Sequence, residues 1–525
     1  MQYVSLLYLL AFLPLVLLLY RLLPQRRRWR LLLAASYVFF FLMSKQLIFY
    51  LFFSAISIHG IGLWLDACDA AAARAEGEAA EAARLACAQK KKRILCYGVV
   101  LHIGLLVLLK YAPFFGQNLN ALLLKLPLPV QLPELSLGVP VGISFFSLQA
   151  VSYISDVYHR RIRADDNLGR LALFLAFFPV VVEGPICRYS DTAQTLYEGK
   201  PLEYENVTFG IQRMVWGLFK KLVIADRLNI LVEKIFTNYR DYSGIVVLLG
   251  AVCYTLQLYA DFSGCIDLTI GTAEMFGVTV PENFRQPFFS RTASEFWRRW
   301  HITLGTWFKD YLFYPLSLTK HVKKIGREAR KKLGRHLGQA AQVFLPLLAV
   351  WVCNGLWHGA GWNYLFFGLY YFILILLGNL WEPAAAGIAK FLHLNREGFL
   401  WRAMQTVKMA AIVVTGELFF RANGLRAGFS MFRSIFTGWS AAVLRNGALM
   451  KLGLDGYDFA AAAIGLVFVL AVDILHENGI SVRRETAELS LPIRWSIYLA
   501  AILLVVIFGA YGTGYLPVDP LYAGF

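Results

Sequence analysis

Charge is what this chain has least of. Only 16% of its 525 residues are charged, against 58% hydrophobic, and the mean hydropathy is +0.54. A chain with that balance cannot solvate the surface of two to four soluble domains, which its length would otherwise suggest. The seven cysteines are scattered and contain no CxxC, so neither a disulfide framework nor a cysteine metal cluster is expected. The nine histidines contain no HExxH or HxxxH pair, which argues against zinc hydrolysis. There is no GxSxG elbow, no P-loop and no GxGxxG, so a serine triad and nucleotide cradles lack their usual supports. No internal repeat of the kind that marks inverted-repeat transporters is visible by inspection.

What the chain does contain is long apolar runs, such as Tyr3–Tyr20, Ile94–Leu109, Leu171–Val182, Ala460–Val472 and Ser496–Tyr511. Several approach the ~20 residues needed to cross a hydrocarbon core of about 30 Å. The chain therefore reads as an all-α polytopic membrane protein with about 11–13 membrane-spanning and re-entrant helices. The first run has no basic residue before it, and Arg21–Arg30 (RLLPQRRRWR) follows directly, so it is not a cleavable signal. That basic cluster should remain cytoplasmic, which puts the N-terminus outside. The formal charge of +17 is accounted for by cytoplasmic basic loops and anionic headgroups, and no nucleic acid is needed.

Along the chain, Leu31–Met43 and Ile48–Leu65 read as spans joined by a tight turn at Ser44–Gln46. Asp66–Arg93 is alanine-rich and should form a cytoplasmic helix leading into Ile94–Leu109. Pro113–Leu137, with Pro113, Pro127, Pro129 and Pro133, should be irregular or interfacial. Val139–Val157 carries Ser144, Ser147, Gln149, Ser152 and Ser155, which place it inside the bundle. Leu168–Val182 ends in EGPICRY (183–189), the pattern of a broken or re-entrant element. Phe209–Ile235 has Lys220, Lys221, Asp226 and Arg227 in its middle, so that section must meet water or partners. Lys320–His336 holds eight Lys/Arg against one Glu, either as a cytoplasmic loop on lipid headgroups or as a docking face for an acidic partner or anionic donor. Two regions follow: residues 1–138, N-terminal spans with a cytoplasmic helix near 66–93, and residues 139–525, a catalytic core whose signature lies in 259–371.

Ionisable groups inside a bilayer are costly and mark function by default. They concentrate between Tyr259 and His358, in YADFSGCIDLTIG (259–271), the block around EFWRRWH (295–301) and NGLWHGAGW (354–362). Arg298 and Arg299 are expected to pair with Asp261, Asp267 or Glu295, either as a lattice holding broken helices together or as part of a site. His358 sits among glycines that allow close backbone approach. A neutral imidazole there suits general-base removal of a proton from a hydroxyl. Read as residues alone, His358 and His301 are each open to a structural or a catalytic role. Cys353, five residues before His358, lacks any activating neighbour. Glu417 and Arg421 are four apart and could pair on one helix face.

The same residues carry a resemblance. DFSG (261–264), ENFRQPF (282–288), EFWRRWHITLGTWFKDYLFYPL (295–316) and GLWHGAGW (355–362) resemble the membrane-bound O-acyltransferase (MBOAT) family, in its bacterial polysaccharide branch. EGPICRY (183–189) resembles that branch's AGPIxRY-type motif, with Glu183 where a small residue is usual. GELFFRA (416–422) and the tail GYLPVDPLYAGF (514–525) resemble closing segments of AlgI-like alginate O-acetylases. The resemblance implies a helix bundle around a membrane-crossing tunnel, with His358 matching the catalytic histidine of the WHG motif and His301 the second functional histidine. Trp297, Arg298, Trp300, Asn354, Trp357 and Asp261 are then the expected substrate-binding residues. No bound cofactor or metal is implied. The donor would be an acyl thioester, acetyl-CoA or an acyl carrier protein, and the acceptor an extracytoplasmic polysaccharide.

AlgI-like transfer of acetyl, through an SGNH-type, AlgJ/AlgX-like partner acetyltransferase, is the reading favoured by the length and the FFRA and tail segments. DltB-like transfer of D-alanine from a carrier protein toward teichoic acid is the alternative, which the basic 320–336 stretch would suit. A transporter or a scaffold of a polysaccharide export complex is the non-enzyme alternative, and it leaves both WH motifs unexplained. The expected location is the bacterial cytoplasmic (inner) membrane, as a multi-pass protein.

Overall fold

The computed structural model describes residues 2–76, 79–126, 131–133, 137–444, 447–511 and 515. They are almost entirely helical, with a lone antiparallel bridge, Phe284↔Trp300, among the described residues. Among the described residues eight helical stretches are long and apolar enough to cross a membrane, and Leu7–Leu22 is a shorter apolar one. One of the eight, Gln25–Ala73, is two helices that double back, since Tyr37 stacks on Phe52 at 4.5 Å across the turn. The expected 11–13 elements are therefore approached only when short buried helices are added to the long ones.

Two compact units divide the chain. The first holds the described residues up to Met214 together with Leu268–Pro281. It begins with a π-helical stretch, Leu7–Phe12, and α1 (Leu13–Leu22), then α2 (Gln25–Ser44), α3 (Ile48–Ala73) and α4 (Ala79–Leu123). Three expectations change here. The Arg-rich segment is helical, so α2 is a full 20 residues rather than the short span Leu31–Met43. Asp66–Arg93 is not a separate helix but holds the end of α3 and the beginning of α4, whose alanines favour helix on both sides, and Lys91 Nζ clasps the two at 2.6 Å from Asp69. Pro113 lies inside α4, which runs on to Leu123, so the irregular segment begins later than Pro113. Pro127 and Pro129 lie outside the described residues.

α5 (Ile143–Tyr158) is buried at every residue from Ile143 to Val157, as its serines and glutamine require. α6 (Leu168–Ala176) is capped by Asn167, whose side chain accepts from the Arg170 N–H, and stops at Phe177, where the chain leaves helical geometry for buried turns through Glu183. The broken element is thus present and enclosed by protein. α7 (Tyr189–Glu198) and α8 (Tyr204–Leu218) follow.

The second unit holds Val215–Asp267 and the described residues from Glu282 onward. A π-helical turn, Phe219–Ala225, joins α8 to α9 (Asp226–Thr237), and α10 (Gly244–Met275) comes next. The extra residue of a π turn swings side chains off the regular helical face. Here it brings Lys220 and Lys221 inward, 4% and 0% exposed. Lys220 Nζ lies 2.6 Å from Asp267 and donates to Ser263 Oγ at 2.8 Å. Lys221 Nζ sits between Asp226 (2.8 Å) and Asp261 (2.9 Å). The DFSG motif is therefore the α10 half of a buried ion lattice. Its Gly264 has no room for a side chain, because a Cβ there would stand 2.8 Å from the Gly217 carbonyl oxygen.

α11 (Ala293–Arg299), α12 (Ile302–Phe308) and α13 (Tyr314–Ser317) are short. α14 (Lys320–His358) bends at Gly334, whose φ of 84° and ψ of 176° are non-helical. Gly326 faces Gln342 and Gly338 faces Arg330, so the basic stretch folds back on the beginning of its own spanning helix. It is a helical hairpin, not a loop. α15 (Trp362–Phe391), α16 (Phe399–Arg421), α17 (Leu425–Thr437), α18 (Gly456–Glu477), α19 (Val482–Glu488) and α20 (Leu491–Phe508) complete the unit. α14 and α15 touch backbone to backbone: a Cβ on Gly368 would lie 2.2 Å from the Trp351 carbonyl oxygen, and one on Gly355 2.4 Å from that of Tyr364.

Of the expected carboxylate partners of the arginines, Glu295 is met and the two aspartates are not. Asp261 and Asp267 are taken by the two lysines, while Arg299 pairs with Glu295 at 3.0 Å and with Glu477 of α18 at 2.7 Å. α18 also carries Asp458, on Arg227 at 2.8 Å, and Asp473, which accepts from the Tyr259 hydroxyl at 3.0 Å. Glu417 and Arg421 form no ion pair with each other among the described residues; Arg421 lies over the Phe236 ring at 5.7 Å. Of the tail 514–525, only Tyr515 is described, and its hydroxyl donates to Asp458 at 2.7 Å.

Candidate active site

His301 occupies a position few residues adopt. Its φ of 48° and ψ of 50° are left-handed, the N-cap of α12, and such a conformation costs a residue with a Cβ about 1–3 kcal/mol. The neighbouring segment holds it there. The Ile302 N–H donates to the Asn283 carbonyl at 3.0 Å, and the Arg285 N–H to the Arg299 carbonyl at 2.9 Å. The Asn283 side-chain oxygen accepts from the Thr303 N–H (3.0 Å) and hydroxyl (2.9 Å) and lies 3.3 Å from His301 Nδ1. ENFRQPF is thus a clamp that aims the histidine.

His358 ends α14, where GlyAlaGly lets the chain turn into α15. It is 3% exposed and His301 is 1% exposed. Their ring centres are 6.4 Å apart, with Trp357 edge-on to both, at 5.3 Å from His301 and 5.0 Å from His358. Phe420 of α16 (5.2 Å) and Phe367 of α15 (6.0 Å) close the other sides of His358, and Phe262 of α10 packs on His301 at 4.8 Å. Two imidazoles are therefore held within one small-molecule width in an aromatic, water-poor setting. One can take a proton from a hydroxyl while the other holds a carbonyl or its developing oxyanion.

The remaining expected residues distribute unevenly. Trp357 flanks both histidines. Asn354 is 4% exposed, one turn before His358. Trp297 packs edge-on to Trp351 (5.0 Å) and Tyr371 (4.9 Å). Trp300 is buried against Phe296 and Phe284, in the layer behind His301. Asp261 is occupied by Lys221, and Arg298 is exposed. Asn283, Lys220 and Lys221 were not singled out as site-forming by the sequence, nor was α18. The acidic residues inside the apolar run of α18 were the signal for its role. No group of three or more His, Cys, Asp or Glu suited to a metal occurs among the described residues.

Comparison with known proteins bears on this arrangement. A sequence model of the MBOAT, membrane-bound O-acyltransferase family matches residues 143–328. A probable alginate O-acetylase AlgI of Azotobacter vinelandii is 32% identical over 367 residues, 69% of this chain and 67% of that protein. The chain belongs to the membrane-bound O-acyltransferase family. A peptidoglycan O-acetyltransferase of Helicobacter pylori is 31% identical over 320 residues, 56% of each chain. A teichoic acid D-alanyltransferase of Bacillus subtilis is 28% identical over 296 residues, 55% of this chain and 69% of that one. The matched stretch spans about two thirds of the alginate O-acetylase relatives' own length. The family model covers α5 through the first part of α14, including His301 and its Asn283 clamp, and ends before His358. As a member of this family the protein is a multi-pass membrane O-acyltransferase.

Proposed function

We propose that this acyltransferase moves an acyl group, acetyl by preference, from a cytoplasmic thioester donor to a hydroxyl that leads to an extracytoplasmic polysaccharide, with His358 as the base. The observation that carries the reading is the buried pair His301–His358, 6.4 Å apart, enclosed by aromatic rings. His358 takes the proton of the attacking hydroxyl, and His301, whose Nδ1 donates to the Asn283 side-chain oxygen, holds the acyl donor in place beside it. Exclusion of water suppresses hydrolysis of the thioester. Acetyl is preferred because acetyl-transferring relatives match at 31–32% identity over longer stretches than the D-alanyl-transferring one. On this reading the Arg-rich beginning of α2 and the basic hairpin of α14 face the cytoplasm, and the N-terminus lies outside. An SGNH-type, AlgJ/AlgX-like acetyltransferase would take the acetyl group onward.

D-alanyl transfer from a carrier protein is the second reading. It is favoured by the eight Lys/Arg of Lys320–His336, a face suited to an acidic carrier. Proteoliposomes loaded with radiolabelled acetyl-CoA separate the two. Wild type should move label to an acceptor or partner, and a folded His358→Ala variant should not. Equal activity of the two would refute His358 as base. Inactivity of both, with activity restored by a D-alanyl carrier protein, would establish the second reading.

A further inference from the structure

Beneath the two histidines lies a second layer of polar atoms that base catalysis does not use. Residues three or four apart share a helix face. Asn354 is one turn from His358 on α14, Tyr371 one turn from Phe367 on α15, and Glu417 one turn from Phe420 on α16. Phe367 and Phe420 both touch His358 and each other, at 5.0 Å. Tyr371 and Glu417 therefore form the next layer, about 5 Å away along the helices. The layer is tied together: the Tyr371 hydroxyl lies against Gly416, 3.1 Å from where its Cβ would be, and Glu417 lies beside Thr255 of α10. Tyr371 is 0% exposed, and Glu417 and Thr255 are 3%. Tyr371 Oη and Asn354 Oδ1 have no hydrogen-bond partner among the described residues, and the Glu417 carboxyl has Thr255 alone beside it among them. A carboxyl buried in this way, with no ion-pair partner among the described residues, is otherwise a pure cost in a membrane protein.

The place of this layer suggests its use. It lies from His358 toward the basic beginning of α14, which on the reading above is where the thioester enters. The carbonyl between the histidines then directs its sulfur into the second layer. We propose that Glu417 and Tyr371 form the leaving-group site, delivering a proton to the departing thiolate. As the acceptor oxygen bonds to the carbonyl carbon, His358 takes its proton. The C–S bond then breaks, and the electron pair stays on sulfur. Sulfur takes a proton from the Tyr371–Glu417 pair, which recovers one from the His358 imidazolium. The products are an oxygen ester and a free thiol, and both side chains end as they began. In water a thiolate leaves unaided, but in a dry site it needs this partner.

The inference rests on the thioester reading, and its test separates the two. Purified full-length protein, in liposomes with membrane acceptor from the host, is given acetyl-CoA or S-phenyl thioacetate, whose aryl thiolate leaves without a proton. Release of thiol and formation of alkali-labile ester are both followed. Glu417→Gln keeps the shape of the side chain and Tyr371→Phe keeps the ring. Each should lower kcat with acetyl-CoA about 100-fold while changing S-phenyl thioacetate turnover less than threefold, with KM little altered. His358→Ala should lose both substrates. Equal losses on the two thioesters in Glu417→Gln would mean a structural role and overturn the proposal, as would unimpaired acetyl-CoA turnover. An active His358→Ala would instead overturn the base assignment and leave the leaving-group comparison intact.

Discussion

Replacing Asn283 by alanine tests how the ENFRQPF segment serves the site. The side-chain oxygen accepts two hydrogen bonds from Thr303, at 3.0 and 2.9 Å, and faces His301 Nδ1 at 3.3 Å, all in residues no more than 5% exposed. A hydrogen bond contributes about 1 kcal/mol net, and a donor stranded in the interior costs about 1–3 kcal/mol. Losing the shared acceptor should therefore cost roughly 2–4 kcal/mol of stability. The left-handed backbone at His301 stores a further strain that this clamp resists, so the variant should also let the imidazole leave its position. Unfolding in a graded denaturing detergent would read the first effect, and acyl transfer from acetyl-CoA the second, with a fall in kcat of about 100-fold, a loss of the size seen when one oxyanion donor is removed. Asn283→Asp, which keeps the accepting oxygen, should recover much of the stability. A variant Asn283→Ala within 1 kcal/mol of wild type and fully active would refute the clamp.

Two further substitutions probe the frame around the site. Lys221→Met leaves Asp226 and Asp261 facing each other without their cation and should destabilise the protein by about 3–5 kcal/mol, with Asp261→Asn on top recovering part of the loss; thermal unfolding of the single and double variants checks this. Gly368→Ala sets a methyl group 2.2 Å from the Trp351 carbonyl oxygen, so α14 and α15 must part. We expect an overpacking cost of about 1–3 kcal/mol or more and weakened transfer through displacement of His358, read by the same assays, whereas Gly378→Ala, with open space around it, should be silent.

The membrane class was legible because hydrocarbon demands long apolar runs, and that demand is written locally, residue by residue. The aromatic WH motifs were legible for the same reason, since polar groups in apolar surroundings stand out. Length was not. Asp66–Arg93 reads as one cytoplasmic helix and Pro113 as the start of an irregular segment, yet α3 runs on to Ala73 and α4 runs from Ala79 through Pro113 to Leu123, because helix propensity continues past the apolar window and neighbouring helices hold the extension.

Pairing was harder still. Arg299 reaches Glu477, 178 residues away, and Lys221 takes the aspartate that Arg298 or Arg299 was expected to hold. Composition and motif determined that this is a multi-pass acyltransferase with two histidines at its centre. Only the tertiary structure decided that Asn283 aims one of them and that Glu417 lies one turn from Phe420, the ring that packs on the other. Those relations depend on which faces of distant helices meet, and a residue carries no mark of its partner until packing brings the two together.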